Sequence, residues 1–140
     1  MKNNFYFKGN FSNIHKKPSK FSEVTSQILY GEKFKILSKN KNWIKIKTLF
    51  DNYIGYIKNV QYVEKFKPNY KVSILKAKIF KKPNNSTNSW LPLGSKLSVI
   101  DENKNYIKIE KDKWIKKKDI KKLNHKDFNF VRVFKTIRSR

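Results

Sequence analysis

The stretch KKPSKFSEVTSQILYGEKFKILSKNKNWIKIK, Lys16 to Lys47, decides the fold, because it returns as KKPNNSTNSWLPLGSKLSVIDENKNYIKIE from Lys81 to Glu110. From the glycine onward the two copies align without gaps. Gly31 falls on Gly94, Phe34 on Leu97, Ile36 on Val99, Trp43 on Tyr106, Ile44 on Ile107 and Ile46 on Ile109, each 63 positions apart. The first copy then continues through TLFDNYIGYIK to Lys58 and the second through KDKWIK to Lys116, so that Tyr56 falls on Trp114 and Ile57 on Ile115 at an offset of 58. A constant offset broken once, at a turn, is what duplication of a small β unit leaves behind.

Within each copy the apolar residues recur every second position. Phe34 and Ile36 alternate with Lys33 and Lys35, Ile44 and Ile46 with Lys45 and Lys47, and Ile107 and Ile109 with Lys108. Such alternation places the apolar side chains on one face of a strand. The separators are turn formers: SKNKN at Ser38 to Asn42, DENKN at Asp101 to Asn105, Asp51-Asn52 and Lys111-Asp112. Short strands at close spacing predict an all-β protein of two small, closed or partly closed barrels in tandem, followed by a short C-terminal helix or a disordered tail. The expected boundaries are an N-terminal segment over 1–13, a first unit over 14–64, a linker over 65–71, a second unit over 72–123 and a remainder over 124–140. A linker so short that also holds Pro68 predicts a fixed contact between the units.

The chain has 140 residues and a formal net charge of +24, and of its 34 basic residues only Arg132, Arg138 and Arg140 are arginines. Lysine is a hydrated point charge, whereas arginine is the residue of planar, bidentate phosphate reading. The lysines accompany 16 asparagines and 15 isoleucines, a mixture that AT-rich coding produces without selection for a ligand. Outward lysines on short strands also keep sheet edges from pairing with other chains. A field of this sign still favours weak, salt-sensitive polyanion binding. With no cysteine, the chain has no disulfide, thiolate metal site or cysteine nucleophile. No cofactor and no metal site is expected, and His15 and His125 read as ordinary surface residues. The first ten residues lack the apolar run of a signal peptide or membrane span, which implies a cytoplasmic chain unless an export signal lies upstream.

The ordered pieces PSKFSEVTSQILYGEKFKIL, NWIKIK and DNYIGYIK resemble the bacterial SH3 (SH3b) domains that precede NlpC-type cysteine peptidases, in particular the γ-D-glutamyl-L-diamino-acid endopeptidase group that trims murein peptides. The resemblance covers residues 14 to 64 well and 72 to 123 more weakly, since the second copy lacks the Ser-Glu segment and the Tyr-x-Gly pattern. It implies that the fold is two tandem small SH3-like barrels, forming a non-catalytic module that binds or positions murein peptides, with those peptides or an NlpC-type catalytic domain as partner. It further implies that Glu23 and Tyr53, with Tyr56 nearby, receive the amino end of such a peptide. The Asp-Cys-Ser motif of the catalytic domain is absent, so no catalytic residue is assigned. The resemblance then implies a truncated gene product or a free-standing accessory protein. The alternative from another class is a basic SH3-like nucleic-acid-binding protein, for which interleaved aromatics and positive charge are suited. Proline-rich peptide recognition is disfavoured, because it needs acidic loops and the chain holds ten acids in all.

Overall fold

The computed structural model describes residues 4–59 and 61–123, so the expected helix or tail over 124–140 lies outside the described residues. Among them the chain is all-β, and its single helical turn is a 3₁₀ turn at Lys117–Asp119. The first half contains β1 (Asn4–Phe7), β2 (Phe11–His15), β3 (Val24–Leu29), β4 (Lys33–Lys39), β5 (Trp43–Thr48), β6 (Ile54–Lys58) and β7 (Tyr62–Val63). They form one curled antiparallel sheet in the order β3-β2-β6-β5-β4-β1-β7. The second half contains β8 (Tyr70–Val72), β9 (Lys76–Lys82), β10 (Asn85–Pro92), β11 (Lys96–Leu97), β12 (Asp101–Glu102), β13 (Tyr106–Glu110), β14 (Lys113–Lys116) and β15 (Ile120–Lys122). These make a sheet ordered β10-β9-β14-β13-β12 and a smaller one ordered β11-β8-β15. Both halves have the form of SH3-like barrels.

The alternation seen in the sequence is the alternation of the sheet. On β5, Ile44 and Ile46 are buried while Trp43, Lys45 and Lys47 point outward, and β13 repeats this with Ile107 and Ile109 buried. The first core gathers Phe7, Ile14, Ile28, Phe34, Ile44, Ile46 and Ile57. Gly55, on β6, lies against β2 so closely that an added Cβ would stand 2.3 Å from the Ile14 Cγ2. Residues 4–7 and 11–15 are strand, joined through a bend at Gly9 and Asn10: Phe5 of β1 pairs with Phe34 of β4, and Tyr6 with Val63 of β7. Lys71 of β8 pairs with Lys96 of β11 on one side and Lys121 of β15 on the other. Short edge strands hold too few residues for their period to stand out.

Local detail recurs between the halves. The Asn40 side-chain oxygen accepts from the backbone N–H groups of Asn42 (3.0 Å) and Trp43 (2.8 Å), and Asn103 does the same for Asn105 (3.0 Å) and Tyr106 (2.8 Å). Left-handed backbone occurs at Gly31 and Gly94 (φ 78° and 91°) and again at Asn52 and Asp112 (φ 56° and 58°). These are the residue types that tolerate it best.

The halves join through Tyr30. It follows β3 in the first half, yet its fully buried ring belongs to the second core, among Val72, Ala77, Ile79, Leu91, Leu97, Ile107, Ile109 and Ile115. Its carbonyl accepts from the Lys96 N–H at 2.8 Å. The backbones meet so tightly at Gly31 that a Cβ there would lie 2.1 Å from the Lys96 carbonyl oxygen. The Tyr30 hydroxyl donates to the Glu110 carboxylate and accepts from the Lys8 ammonium at 2.7 Å, and Lys8 pairs with Glu110 at 3.2 Å. Phe66, from the connection between the halves, packs edge-on to Tyr30 with centroids 6.2 Å apart, and the Lys8 ammonium lies 4.4 Å from its ring centre.

Burial would raise the Glu110 carboxyl, but the Tyr30 hydroxyl, Lys8 and Lys113 together hold it below the usual carboxylate range. Burial also pulls the Lys8 ammonium below its ordinary value, an effect only partly offset by Glu110. Burial first and Glu110 second push the Tyr30 hydroxyl well above the normal phenol range, so it stays a proton donor.

Candidate functional site

The three residues assigned by resemblance lie around the base of the loop that joins β2 to β3. Glu23 immediately precedes β3, is exposed, and its carbonyl accepts from the Lys16 N–H at 2.9 Å. Tyr53 precedes β6; it is half-buried against the first core and its hydroxyl donates to the Thr25 carbonyl at 3.3 Å. Tyr56 points outward from β6, paired in register with His15 of β2 on one side and Lys45 of β5 on the other. The Lys45 ammonium is 5.9 Å from the Tyr56 ring centre. Tyr53 is anchored two residues from Glu23, and Tyr56 sits across the strand from the start of the loop. No hydrogen bond joins any two of the three.

His15 is more than a surface residue. It is half-buried, its Nδ1 stands 3.1 Å from the Ser22 carbonyl, and its ring meets the Trp43 indole edge-on at 5.4 Å. His15 therefore braces the loop against β5.

The loop and that indole frame a groove of about 610 Å³ that the sequence reading did not identify. One wall is Pro18, Ser19, Lys20 and Phe21; the other is the turn Lys41-Asn42 with Trp43, and Lys58 and Asn59 close the end. The loop is held by its own hydrogen bonds: Lys17 N–H to Ser22 Oγ at 2.9 Å, Phe21 N–H to Ser19 Oγ at 3.2 Å and Ser22 N–H to the Ser19 carbonyl at 3.0 Å. At its tip Phe21 is 87% exposed, more than any other large apolar residue described.

The second half has a smaller space of about 420 Å³ at the corresponding place, lined by Asn84, Lys104, Asn105, Tyr106 and Lys116 to Lys118. Lys104-Asn105-Tyr106 are the repeat partners of Lys41-Asn42-Trp43, and Lys116 is the partner of Lys58. Here the loop shrinks to the tight turn Pro83-Asn84, and the Tyr106 hydroxyl donates to the Asn84 side-chain oxygen at 3.2 Å. Phe80 meets Tyr106 edge-on at 5.1 Å, as His15 meets Trp43. Among the described residues no group of three His, Asp or Glu side chains could hold a metal ion, and no helix is long and apolar enough to cross a membrane.

A barrel with this strand plan and loop matches the family described as bacterial SH3 domain over residues 10–64. No curated protein matches the chain. Among solved structures, an NlpC/P60 family protein from Bacillus cereus ATCC 10987 superposes with a TM-score of 0.68 at 12% identity, over 86% of this chain and 56% of that one. NlpC2 from Trichomonas vaginalis matches at TM-score 0.37 and 12% identity, over 86% of this chain and 48% of that one. The chain thus spans about half the length of these solved proteins. At such identity the likeness concerns fold, and it extends across both halves.

Proposed function

We propose that the chain is a tandem pair of SH3b units, cell-wall-related and without catalysis of its own, that binds or positions murein peptides for an NlpC-type peptide hydrolase. The observation that carries the reading is the fold likeness to the Bacillus cereus NlpC/P60 family protein, which takes in 86% of this chain and so both barrels together. The bacterial SH3 match over residues 10–64 and the absence of cysteine support it. In this reading Glu23 supplies a carboxylate for the amino end of the peptide, and Tyr53 and Tyr56 supply ring surface beside it. Tyr53 is already fixed by its bond to Thr25, so it contributes shape at little ordering cost. One wall of a cleft gives weak binding to a small peptide, and a catalytic domain facing it would complete the enclosure.

The test is a titration of isotope-labelled protein with murein stem peptides carrying a free amino end. Amide shifts clustered at 23–25 and 53–56, weakened by Glu23→Gln, are the expected result. Unchanged spectra at millimolar peptide, both alone and with an added NlpC-type catalytic domain, would remove the reading.

A further inference from the structure

We propose that the groove between the Pro18–Phe21 wall and Trp43 is a second binding site, separate from Glu23 and Tyr53, that takes an acidic peptide segment. One aromatic or aliphatic side chain of the segment enters between Phe21 and Trp43, and flanking carboxylates meet Lys20, Lys41 and Lys58. Three features of the groove carry this. The first is charge: its lining holds three lysines and no acid, so any favourable occupant is anionic. The second is the ring surface. A phenylalanine so exposed at a loop tip adds little to the core: Phe21 is 87% exposed, with the Lys20 ammonium 5.2 Å from its ring centre, although the loop around it is fixed by its own hydrogen bonds. A pre-shaped loop that presents an apolar ring lowers the ordering cost of binding. The third is the other half of the molecule. There the loop is a two-residue turn, Tyr106 bonds across to Asn84, and the smaller space of about 420 Å³ has no outward ring in the place of Phe21.

The form of the groove selects a peptide over a nucleic-acid strand. A strand binds along a track of successive ring faces with phosphate contacts in line. This groove has one outward ring, and its second ring is half-buried with its edge partner His15. The two rings offer one place for an apolar side chain, and the rest of the roughly 610 Å³ takes the flanking acidic residues. Lysine contacts suit single carboxylates as point charges, and no arginine lines the space for bidentate phosphate reading.

The probe is the blocked peptide Asp-Asp-Phe-Asp-Asp, titrated into the full chain at about 0.15 M salt, where exposed charge pairs are screened. The readouts are the amide shifts of 19–21 and 41–43 and the indole N–H of Trp43. Tetra-aspartate and a five-nucleotide oligothymidylate serve as competitors. Saturable shifts at both walls are expected. Phe21→Ser should weaken binding about tenfold, as loss of one buried apolar side chain does, and the combined change of Lys20, Lys41 and Lys58 to Gln should abolish it. Phe21 is exposed and the lysines lie at the groove rim, so both variants retain the fold, which the unchanged second-half spectrum checks. Absence of shifts, equal affinity for tetra-aspartate, tighter binding of the oligonucleotide, or indifference to both variants would each overturn the proposal. Glu23→Gln leaves this binding intact, so its outcome is independent of the murein titration.

Discussion

The two halves share a strand plan and part company at one hairpin. In the first, the connection from β2 to β3 runs through Lys16 to Glu23 and holds a groove open above Trp43; in the second, Pro83-Asn84 turns at once and Tyr106 is buried beneath it. The hairpin is where a β framework tolerates change, because strand register and core are set elsewhere. The first half keeps the larger groove, and the second half supplies the core into which Tyr30 is anchored.

The strongest way to break that comparison is to remove the anchor. Tyr30→Ala empties the largest side chain in the second core and should cost about 3–5 kcal/mol. Urea unfolding followed separately by near-UV signal and by resonances of each half should show one shared transition moving to lower denaturant. Two transitions, with the second half unmoved, would mean that the halves stand alone. A smaller effect comes from the seam charge. Because the Glu110 carboxyl is held below its ordinary value, its contribution is present above the unfolded pKa and fades as pH falls through the lower folded one. The stability difference between wild type and Glu110→Gln, about 1 kcal/mol at neutral pH, should shrink between roughly pH 5 and pH 3. Denaturant midpoints across that range measure it, and a difference that grows toward acid would reverse the sign assigned here. The smallest expected change sharpens the contrast between grooves. Tyr106→Phe deletes the bond to Asn84 and should cost about 0.5–1.5 kcal/mol, with shifts confined to 84 and 104–106. Shifts reaching the first groove would contradict the independence of the two spaces.

Much of this fold was legible in the chain. Ile44, Ile46, Ile107 and Ile109 show the strand period, and the turns at Asn52 and Asp112 are announced by residues that accept left-handed backbone. What alternation cannot specify is which core receives an inward residue. Tyr30 occupies the place of Leu93 in the repeat, and Glu110 the place of Lys47. Those two departures, a phenol for an aliphatic and an acid among lysines, mark the seam within the repeat, and each looks ordinary until the barrels are set side by side. Of the site, Glu23, Tyr53 and Tyr56 were placed by resemblance, and the structure locates them around one loop base. The groove escaped notice because it depends on how the loop folds against Trp43, and that part of the repeat, ahead of the glycine, does not align without gaps.

The residue that crosses the seam also bears on how such a molecule is inherited. A gene segment ending near Glu64 would encode a first barrel with a naked phenol ring on its flank. A segment beginning near Tyr70 would encode a second barrel with a hole at its centre. Splitting the pair would uncover the Tyr30 ring on one side and remove the largest side chain of the second core on the other.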